Sequence, residues 1–130
     1  MTVVDASVLV AILQSEPEAL HFTRFLETNE VCIPARVLVE AGILAFRRGL
    51  GRDLGRLLAD LEADVIALDG SIASAATDAF RRYGKGRHKA ALNFGDCLVY
   101  ATAKRLNLPL LYKGQDFIHT DIKSARSVSH

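Results

Sequence analysis

Residues 93–117 read NFGDCLVYATAKRLNLPLLYKGQDF, in which a helix-like run is followed by a short strand-like run. Residues 94–106 predict a helix, and the apolar residues 109–112 after it predict a buried strand. Asp96 and Asp116 lie in otherwise apolar surroundings in this stretch. Because ionised carboxylates avoid such surroundings unless something compensates their charge, these two aspartates indicate a functional site.

The same alternation of short apolar runs with longer amphipathic runs extends over the whole chain. This pattern is typical of an α/β fold, in which helical crossovers join the strands of a parallel sheet. We therefore predict a central parallel sheet of four or five short strands flanked by helices. The predicted strands are Val3–Val4, Val31–Ile33, Val65–Leu68, Pro109–Tyr112 and a fifth, short strand near Ile122. The predicted helices begin near Ser7, Pro17, Ala35, Arg52, Ile72 and Phe94, the last with Asn93 as its cap.

Length and composition predict one domain. The chain has 130 residues, of which half are apolar, enough for a single core. We place the domain at residues 1–123 and expect a frayed tail over residues 124–130. Cys32 and Cys97 lie in apolar contexts without the spacing of a zinc site or a disulfide framework. With no apolar run long enough to cross a bilayer and no leader-like start, we expect a cytoplasmic protein without membrane contact.

Four acids have positions that suggest a common site. Asp5 directly follows the first predicted strand, and Asp116 comes four residues after the last one. Both can face the rim where ligands bind on open parallel sheets. Asp96 falls in the first turn of its helix, and Glu40 lies at the boundary between an apolar and a charged helix face.

Four carboxylates at one rim would repel one another unless a divalent cation balanced their charge. The ligand set is all oxygen, which favours Mg²⁺ or Mn²⁺ over zinc. One such ion, or a pair about 4 Å apart, can polarise a phosphodiester and activate water for its hydrolysis. The pattern therefore predicts nuclease chemistry.

Each acid also has a purely structural interpretation. Asp96, three residues after the helix cap, can complete that cap and interact with the positive end of the helix dipole. Glu40 can be an ordinary i, i+4 partner of Arg36. Asp5 can cap the helix that follows it, and Asp116 can be a turn residue.

Taken together, four motifs in this order and spacing resemble the PIN-domain ribonucleases, and in particular the VapC toxins of bacterial type II toxin–antitoxin systems. The resemblance covers nearly the whole chain. The motifs are VVDASVLV at residues 3–10, ARVLVEA at 35–41, YGKGRHKAALNFGDC at 83–97 and LLYKGQDF at 110–117, followed by Thr120-Asp121.

The resemblance implies a PIN-like fold and a metal-dependent endoribonuclease that cleaves RNA phosphodiester bonds with metal-activated water. It assigns the acidic metal-binding positions to Asp5, Glu40, Asp96 and Asp116, and an early hydroxyl residue near the metal to Ser7. Asp5, Asp96 and Asp116 would hold one Mg²⁺ or Mn²⁺ ion. Glu40 would complete the shell, hold a second ion or orient the attacking water, and these alternatives stay open. A Thr-Asp pair recurs near the end of similar sequences, and we expect Asp121 of this pair to have a structural role.

The resemblance also implies protein partners. VapC toxins have a cognate VapB-type antitoxin that inserts a segment into the active-site groove and inhibits the enzyme. It further implies a homodimer and a toxin that acts on RNA. These partners are expectations from the family and not from the composition of the chain.

A basic segment, RRYGKGRHK at residues 81–89, precedes the helix of Asp96. Its two glycines break a helix, so we expect a flexible loop that brings positive charge beside the acids. Such charges neutralise RNA phosphates, and a tyrosine can stack on an unpaired base. The predicted RNA-binding residues are Arg82, Tyr83, Lys85, Arg87, His88 and Lys89. A merely solvated loop is the simpler alternative. A second basic group, Arg47, Arg48, Arg52 and Arg56, can extend the RNA path or pair with acids of a partner.

Two other functions are compatible with parts of the sequence. A phospho-acceptor receiver domain would place Asp69 after one strand and Lys113 after the last strand, but it needs a pair of acids after the first strand, where Asp5 stands alone. A non-catalytic RNA-binding module would use the basic segment alone. It predicts that alanine at Asp5 and Asp96 leaves function unchanged.

Overall fold

The computed structural model of the protein describes residues 1–125, which form four strands and six helices. The strands are β1 (Thr2–Val4), β2 (Val31–Pro34), β3 (Asp64–Ile66) and β4 (Leu110–Leu111). The helices are α1 (Ala6–Leu13), α2 (Ala19–Thr28), α3 (Ala35–Arg48), α4 (Gly51–Leu61), α5 (Gly70–Tyr83) and α6 (Phe94–Leu106).

The strands form one sheet in the order β3-β2-β1-β4, and every neighbouring pair is parallel. In this register Val3 lies between Cys32 of β2 and Leu110 of β4. The predicted α/β class with a parallel sheet of four strands is confirmed. Because all strands run in the same direction, the residues that follow them meet at one edge of the sheet.

The helix ends have local causes in the sequence. Asn93 caps α6, and α6 ends at Asn107, which adopts the left-handed conformation (φ 55°) that asparagine tolerates. Gly49 ends α3 in the same way (φ 71°). The predicted first residues of the six helices agree with the structure to within two residues.

The core lies on both faces of the sheet. β1 and β2 are buried along their whole length, and α6 contributes the largest number of buried helix residues. Helices α5 and α6 pack against each other on one side, while α1 packs against α2 and α3. Within residues 1–125, no helix is long and apolar enough to cross a bilayer.

Two predictions near the C-terminus change in the structure. Instead of a strand near Ile122, there is one isolated parallel bridge between Leu110 and Ser124. Ser124 and the buried Ala125 thus belong to the folded unit, because the bridge adds backbone hydrogen bonding to the edge of β4. The frayed tail predicted from residue 124 is wrong for these two residues. The rest of that prediction, residues 126–130, lies outside the described part of the chain.

Candidate active site

Asp5 leaves the central strand β1 and caps α1. Its Oδ2 accepts hydrogen bonds from the Ser7 amide at 3.1 Å and from Ser7 Oγ at 2.6 Å. Burial raises the pKa of the Asp5 carboxyl above its ordinary value, although the Ser7 hydrogen bonds lower it, and the charge of Glu40 raises it further. The capping interpretation is therefore correct, but capping leaves a buried carboxylate beside another acid.

Asp96 forms a reciprocal capping box with Asn93 at the start of α6. The Asp96 amide donates to Asn93 Oδ1 at 2.8 Å, and Asp96 Oδ2 accepts from the Asn93 amide at 3.1 Å. Burial is the main cause that raises the pKa of Asp96 to about 6. The negative charges of Asp116, Asp5 and Glu40 also raise this pKa. Since such charge effects need short separations, the four acids share one region of the structure.

Glu40 lies on α3, on the side that faces the start of α6. Its carboxylate forms an ion pair with the Arg36 guanidinium one turn earlier, as the i, i+4 interpretation predicts. The Arg36 guanidinium also lies over the Phe94 ring, 6.0 Å from the ring centroid. The pair therefore spans the space between α3 and α6.

Asp116 lies in the turn that follows β4, exposed and two residues after Gly114, whose φ is +101°. The amide of Lys113, at the start of this turn, donates to Ser7 Oγ at 2.9 Å. Ser7 thus receives a hydrogen bond from one loop of the site and donates one to Asp5. This hydroxyl, predicted to lie near a metal, thus connects the segment that follows β1 with the segment that follows β4.

The four acids, called the acidic group below, fit a hard divalent cation by their chemistry, because they offer only oxygen donors. In their present rotamers, however, no three acidic, histidine or cysteine side chains within residues 1–125 are placed to hold an ion together. Asp5 faces Ser7, Asp96 faces Asn93, and Glu40 faces Arg36. Each of these contacts uses one oxygen of its carboxylate, Oδ2 of Asp5, Oδ2 of Asp96 and Oε1 of Glu40. A shared cation would therefore require these side chains to rearrange.

The basic segment forms a turn closed by a parallel bridge between Gly84 and Leu92. Lys85, Arg87 and Lys89 are exposed on this turn, which leads directly into α6 and Asp96. His88 is half-buried, with its Nδ1 accepting a hydrogen bond from the Ala90 amide at 3.0 Å. The positive charges thus lie on the turn that leads into α6, close in sequence to Asp96 of the acidic group.

Two predicted RNA-binding residues have other roles in the structure. Tyr83 is only 6% exposed, and its ring packs edge-on against Tyr100 and His88. A base cannot reach a ring buried in this way, so the stacking role predicted for Tyr83 does not fit. Arg82 lies over the Tyr83 ring and 3.6 Å from Asp121.

Asp121 binds three residues of α5 and α6. It accepts hydrogen bonds from the Tyr100 hydroxyl and, at 3.2 Å, from Lys104 Nζ, and it faces Arg82. These contacts fasten the C-terminal segment to the helices, which agrees with the structural role expected for Asp121. Sequence reasoning did not identify its partners, because they lie 17 to 39 positions away along the chain.

The receiver-like arrangement is not formed. Asp69 follows β3 and Lys113 follows β4, and these strands are the two opposite edges of the sheet. Asp69 caps α5 through the Ile72 amide at 2.9 Å. Lys113 forms ion pairs with Glu16 at 2.5 Å and with Glu18 at 3.3 Å. Neither residue is placed to act with the other.

Comparisons with known proteins agree with this geometry. The sequence profile of the PIN domain family matches residues 2–123. The chain is 44% identical over 124 residues to VapC ribonuclease Mb0640 of Mycobacterium bovis, covering 92% of this chain and 95% of the relative. It is 42% identical over 128 residues to ribonuclease VapC of Mycolicibacterium smegmatis, covering 92% and 96%.

Two solved structures share the fold. A toxin–antitoxin complex from Klebsiella pneumoniae superposes with a TM-score of 0.73 at 18% identity, over 93% of both chains. The crystal structure of Mycobacterium tuberculosis VapC20, a sarcin–ricin loop cleaving toxin, superposes with a TM-score of 0.76 at 16% identity, over 94% of this chain and 96% of that one. The identities of 37% to 44% to curated ribonucleases over more than nine-tenths of the chain are high enough to establish the family. The protein belongs to the PIN-domain family and, within it, to the VapC ribonucleases of toxin–antitoxin systems.

Proposed function

We propose that the protein is an endoribonuclease toxin that requires Mg²⁺ or Mn²⁺ and is inhibited by a VapB-type antitoxin. The observation that carries this proposal is the acidic group, in which the charges of three acids raise the pKa of a fourth, Asp96. Carboxylates that repel one another at the end of a sheet destabilise the fold, unless a cation compensates them in the working state.

Within this proposal Asp5, Asp96 and Asp116 are the residues that hold one ion. When bound, the cation supplies Lewis-acid activation of a water molecule and of the phosphodiester. The Ser7 hydroxyl orients the Asp5 carboxylate, because it donates to Oδ2 at 2.6 Å. Glu40 takes one of the three roles that the sequence leaves open: completing the shell, holding a second ion or orienting water.

The RNA substrate approaches over the basic segment. Lys85, Arg87 and Lys89 are exposed beside the entry to α6, where they can neutralise phosphates that flank the cleaved bond. This arrangement supplies affinity without reading the base sequence. The half-buried His88 and the Arg82 beside Asp121 contribute less, because His88 is partly covered and Arg82 already faces a carboxylate. Arg87 remains exposed although its Nε donates to the Arg81 carbonyl at 3.2 Å.

An antitoxin and a second toxin copy are the proposed protein partners. Leu68, Phe80 and Phe94 are exposed, Phe94 by 76%, and they line an apolar cavity of about 530 Å³ between α5 and the start of α6. Phe94 and Cys97 of this lining are close to Asp96 along α6. An antitoxin segment in the cavity would therefore lie near the acidic group and hinder the approach of RNA. The membership of the VapC family supports a homodimer, and light scattering of the purified toxin tests this oligomeric state. A toxin that acts on RNA with such partners works in the cytoplasm.

Cleavage of total RNA tests the catalytic proposal. The wild type is incubated with Mg²⁺, with Mn²⁺ or with EDTA, and compared with Asp5→Asn and Asp96→Asn. We expect discrete fragments that vanish with chelation and with either substitution. Asp69→Asn is the matched control, because Asp69 also caps a helix after a strand but lies outside the acidic group. Equal cleavage by wild type, Asp5→Asn and Asp96→Asn would contradict the proposed site.

A further inference from the structure

Arg36 lies beside the acidic group, where it contacts residues of both α3 and α6. It lies in the first turn of α3, directly after β2 ends at Pro34, and its guanidinium binds the Glu40 carboxylate. Among residues 1–125, this is the one ion pair that includes a member of the acidic group. Arg36 is therefore the cation that partly compensates the charge of Glu40 in the present state.

The contacts of Arg36 with α6 distinguish it from an ordinary i, i+4 partner. Its guanidinium lies over the Phe94 ring, and a Cβ placed on Gly95 would overlap it. Only glycine at position 95 leaves room for the guanidinium in this place. The Arg36 side chain is 30% exposed, so it is held against the wall of the site and does not extend freely into solvent.

The contact with Arg36 holds the Glu40 carboxylate through its Oε1 atom. Its charge acts on both Asp5 and Asp96, so it is near them, yet no three acids are placed to hold an ion together. The Arg36 guanidinium binds one of the two oxygens that Glu40 could offer to a divalent cation. Two cations that bind the same carboxylate repel each other, so each weakens the binding of the other.

We propose that Arg36 is an internal counter-cation that competes with the divalent metal for Glu40. This inference rests on the proposed function of the acidic group. When the metal binds, Glu40 turns from the guanidinium towards the ion. Arg36 remains beside the site, held by the Phe94 ring, and its planar donors become free to bind an RNA phosphate. Metal and substrate binding are then coupled through one side chain.

The affinity for Mn²⁺, measured by isothermal titration calorimetry in the absence of RNA, distinguishes this role of Arg36 from a general effect of positive charge. We expect Arg36→Gln to bind Mn²⁺ about two- to fivefold more tightly than wild type, the range for losing a partly exposed ion pair. Arg47→Gln is the matched control. It removes the same charge from the same helix, beside a groove that Glu40 also lines, but Arg47 forms no ion pair within the described residues. Its effect on Mn²⁺ affinity should be clearly smaller.

A double-mutant cycle with Glu40→Gln tests the competition itself. In the Glu40→Gln background, Arg36→Gln should change Mn²⁺ affinity no more than Arg47→Gln does. RNA cleavage supplies a readout of opposite sign, because Arg36→Gln should raise the KM for RNA while it tightens metal binding. Circular dichroism of each variant checks that the fold is retained.

The outcomes distinguish this inference from the proposed function. If wild type binds Mn²⁺ and Asp96→Asn does not, the metal site stands. Equal effects of Arg36→Gln and Arg47→Gln would then overturn only the competition. If wild type and Asp96→Asn both fail to bind Mn²⁺, the metal site and the competition are overturned together.

Discussion

The Lys113 amide donates a hydrogen bond of 2.9 Å to Ser7 Oγ, across 106 positions of the chain. Ser7 in turn donates to Asp5 Oδ2 at 2.6 Å. One hydroxyl therefore connects the residue that leaves β1 with the turn that leaves β4 and carries Asp116. This connection explains how the segments that follow β1 and β4, which carry Asp5 and Asp116, are held at one site.

Substitution of Ser7 tests this connection. Ser7→Ala leaves the Lys113 amide without its acceptor and the Asp5 carboxylate without its hydroxyl donor. We expect a loss of about 1–3 kcal/mol in the free energy of unfolding, measured by urea denaturation. Ser71→Ala is the control, because Ser71 makes the same i, i+2 bond to Asp69 at 2.9 Å but on the exposed cap of α5. An equal loss in both variants would contradict a special role for Ser7.

The charge contacts of Asp121 predict a pH-dependent stability. Burial alone would raise the pKa of Asp121, but hydrogen bonds from Tyr100 and Lys104, with the charges of Lys104 and Arg82, hold it below its ordinary value. A carboxylate with a lowered pKa stabilises the folded state above its unfolded pKa, and this contribution is lost as the pH falls through the folded pKa.

The variant Asp121→Asn isolates this contribution. We expect it to be less stable than wild type at pH 7, and we expect the difference to shrink below about pH 4. Urea unfolding of both proteins at pH 7 and pH 3 measures this. A difference in stability that stays constant between the two pH values would mean that Asp121 acts through packing and not through its charge.

We predict that removing exposed lysines from the basic segment reduces the salt dependence of RNA binding. Lys85→Ala and Lys89→Ala should weaken binding of single-stranded RNA by an Asp96→Asn protein. Each should also reduce the slope of log K against log salt by about 0.7. The control is Arg81→Ala, since Arg81 is already paired with Asp78 at 2.6 Å. A slope unchanged in the two lysine variants would favour the solvated-loop interpretation.

We predict that the Tyr83 ring contributes to the stability of the fold and not to RNA binding. Tyr83→Ala removes a buried ring that packs against Tyr100, and we expect a loss of about 3 kcal/mol in the free energy of unfolding. Tyr83→Phe keeps the ring and should bind RNA as the wild type does. Weaker RNA binding by Tyr83→Phe, with the fold retained, would return Tyr83 to the RNA interface.

Local sequence patterns were sufficient for the six helices and for four of the five predicted strands. The apolar run at residues 31–33 predicts β2, and Asn93 three residues before Asp96 predicts the start of α6, because both depend on neighbours along the chain. The positions of Asp5 and Asp116 at one rim also follow from sequence, since parallel strands end at the same edge.

The contacts between helices were decided only by tertiary structure. Sequence shows Arg36 as a helical partner of Glu40, but its place over Phe94 and against Gly95 depends on how α3 and α6 pack. For the same reason Tyr83 looked like an exposed member of a basic segment, although α6 buries its ring.

The sequence by itself thus determined which acids follow which strands, because helix and strand signals act over a few residues. Tertiary structure decided which partner each carboxylate faces and which basic residues remain exposed. The physical reason is that an ion pair or a ring contact requires side chains to meet within a few ångströms. Residues as far apart as Ser7 and Lys113 meet only when the whole sheet has formed.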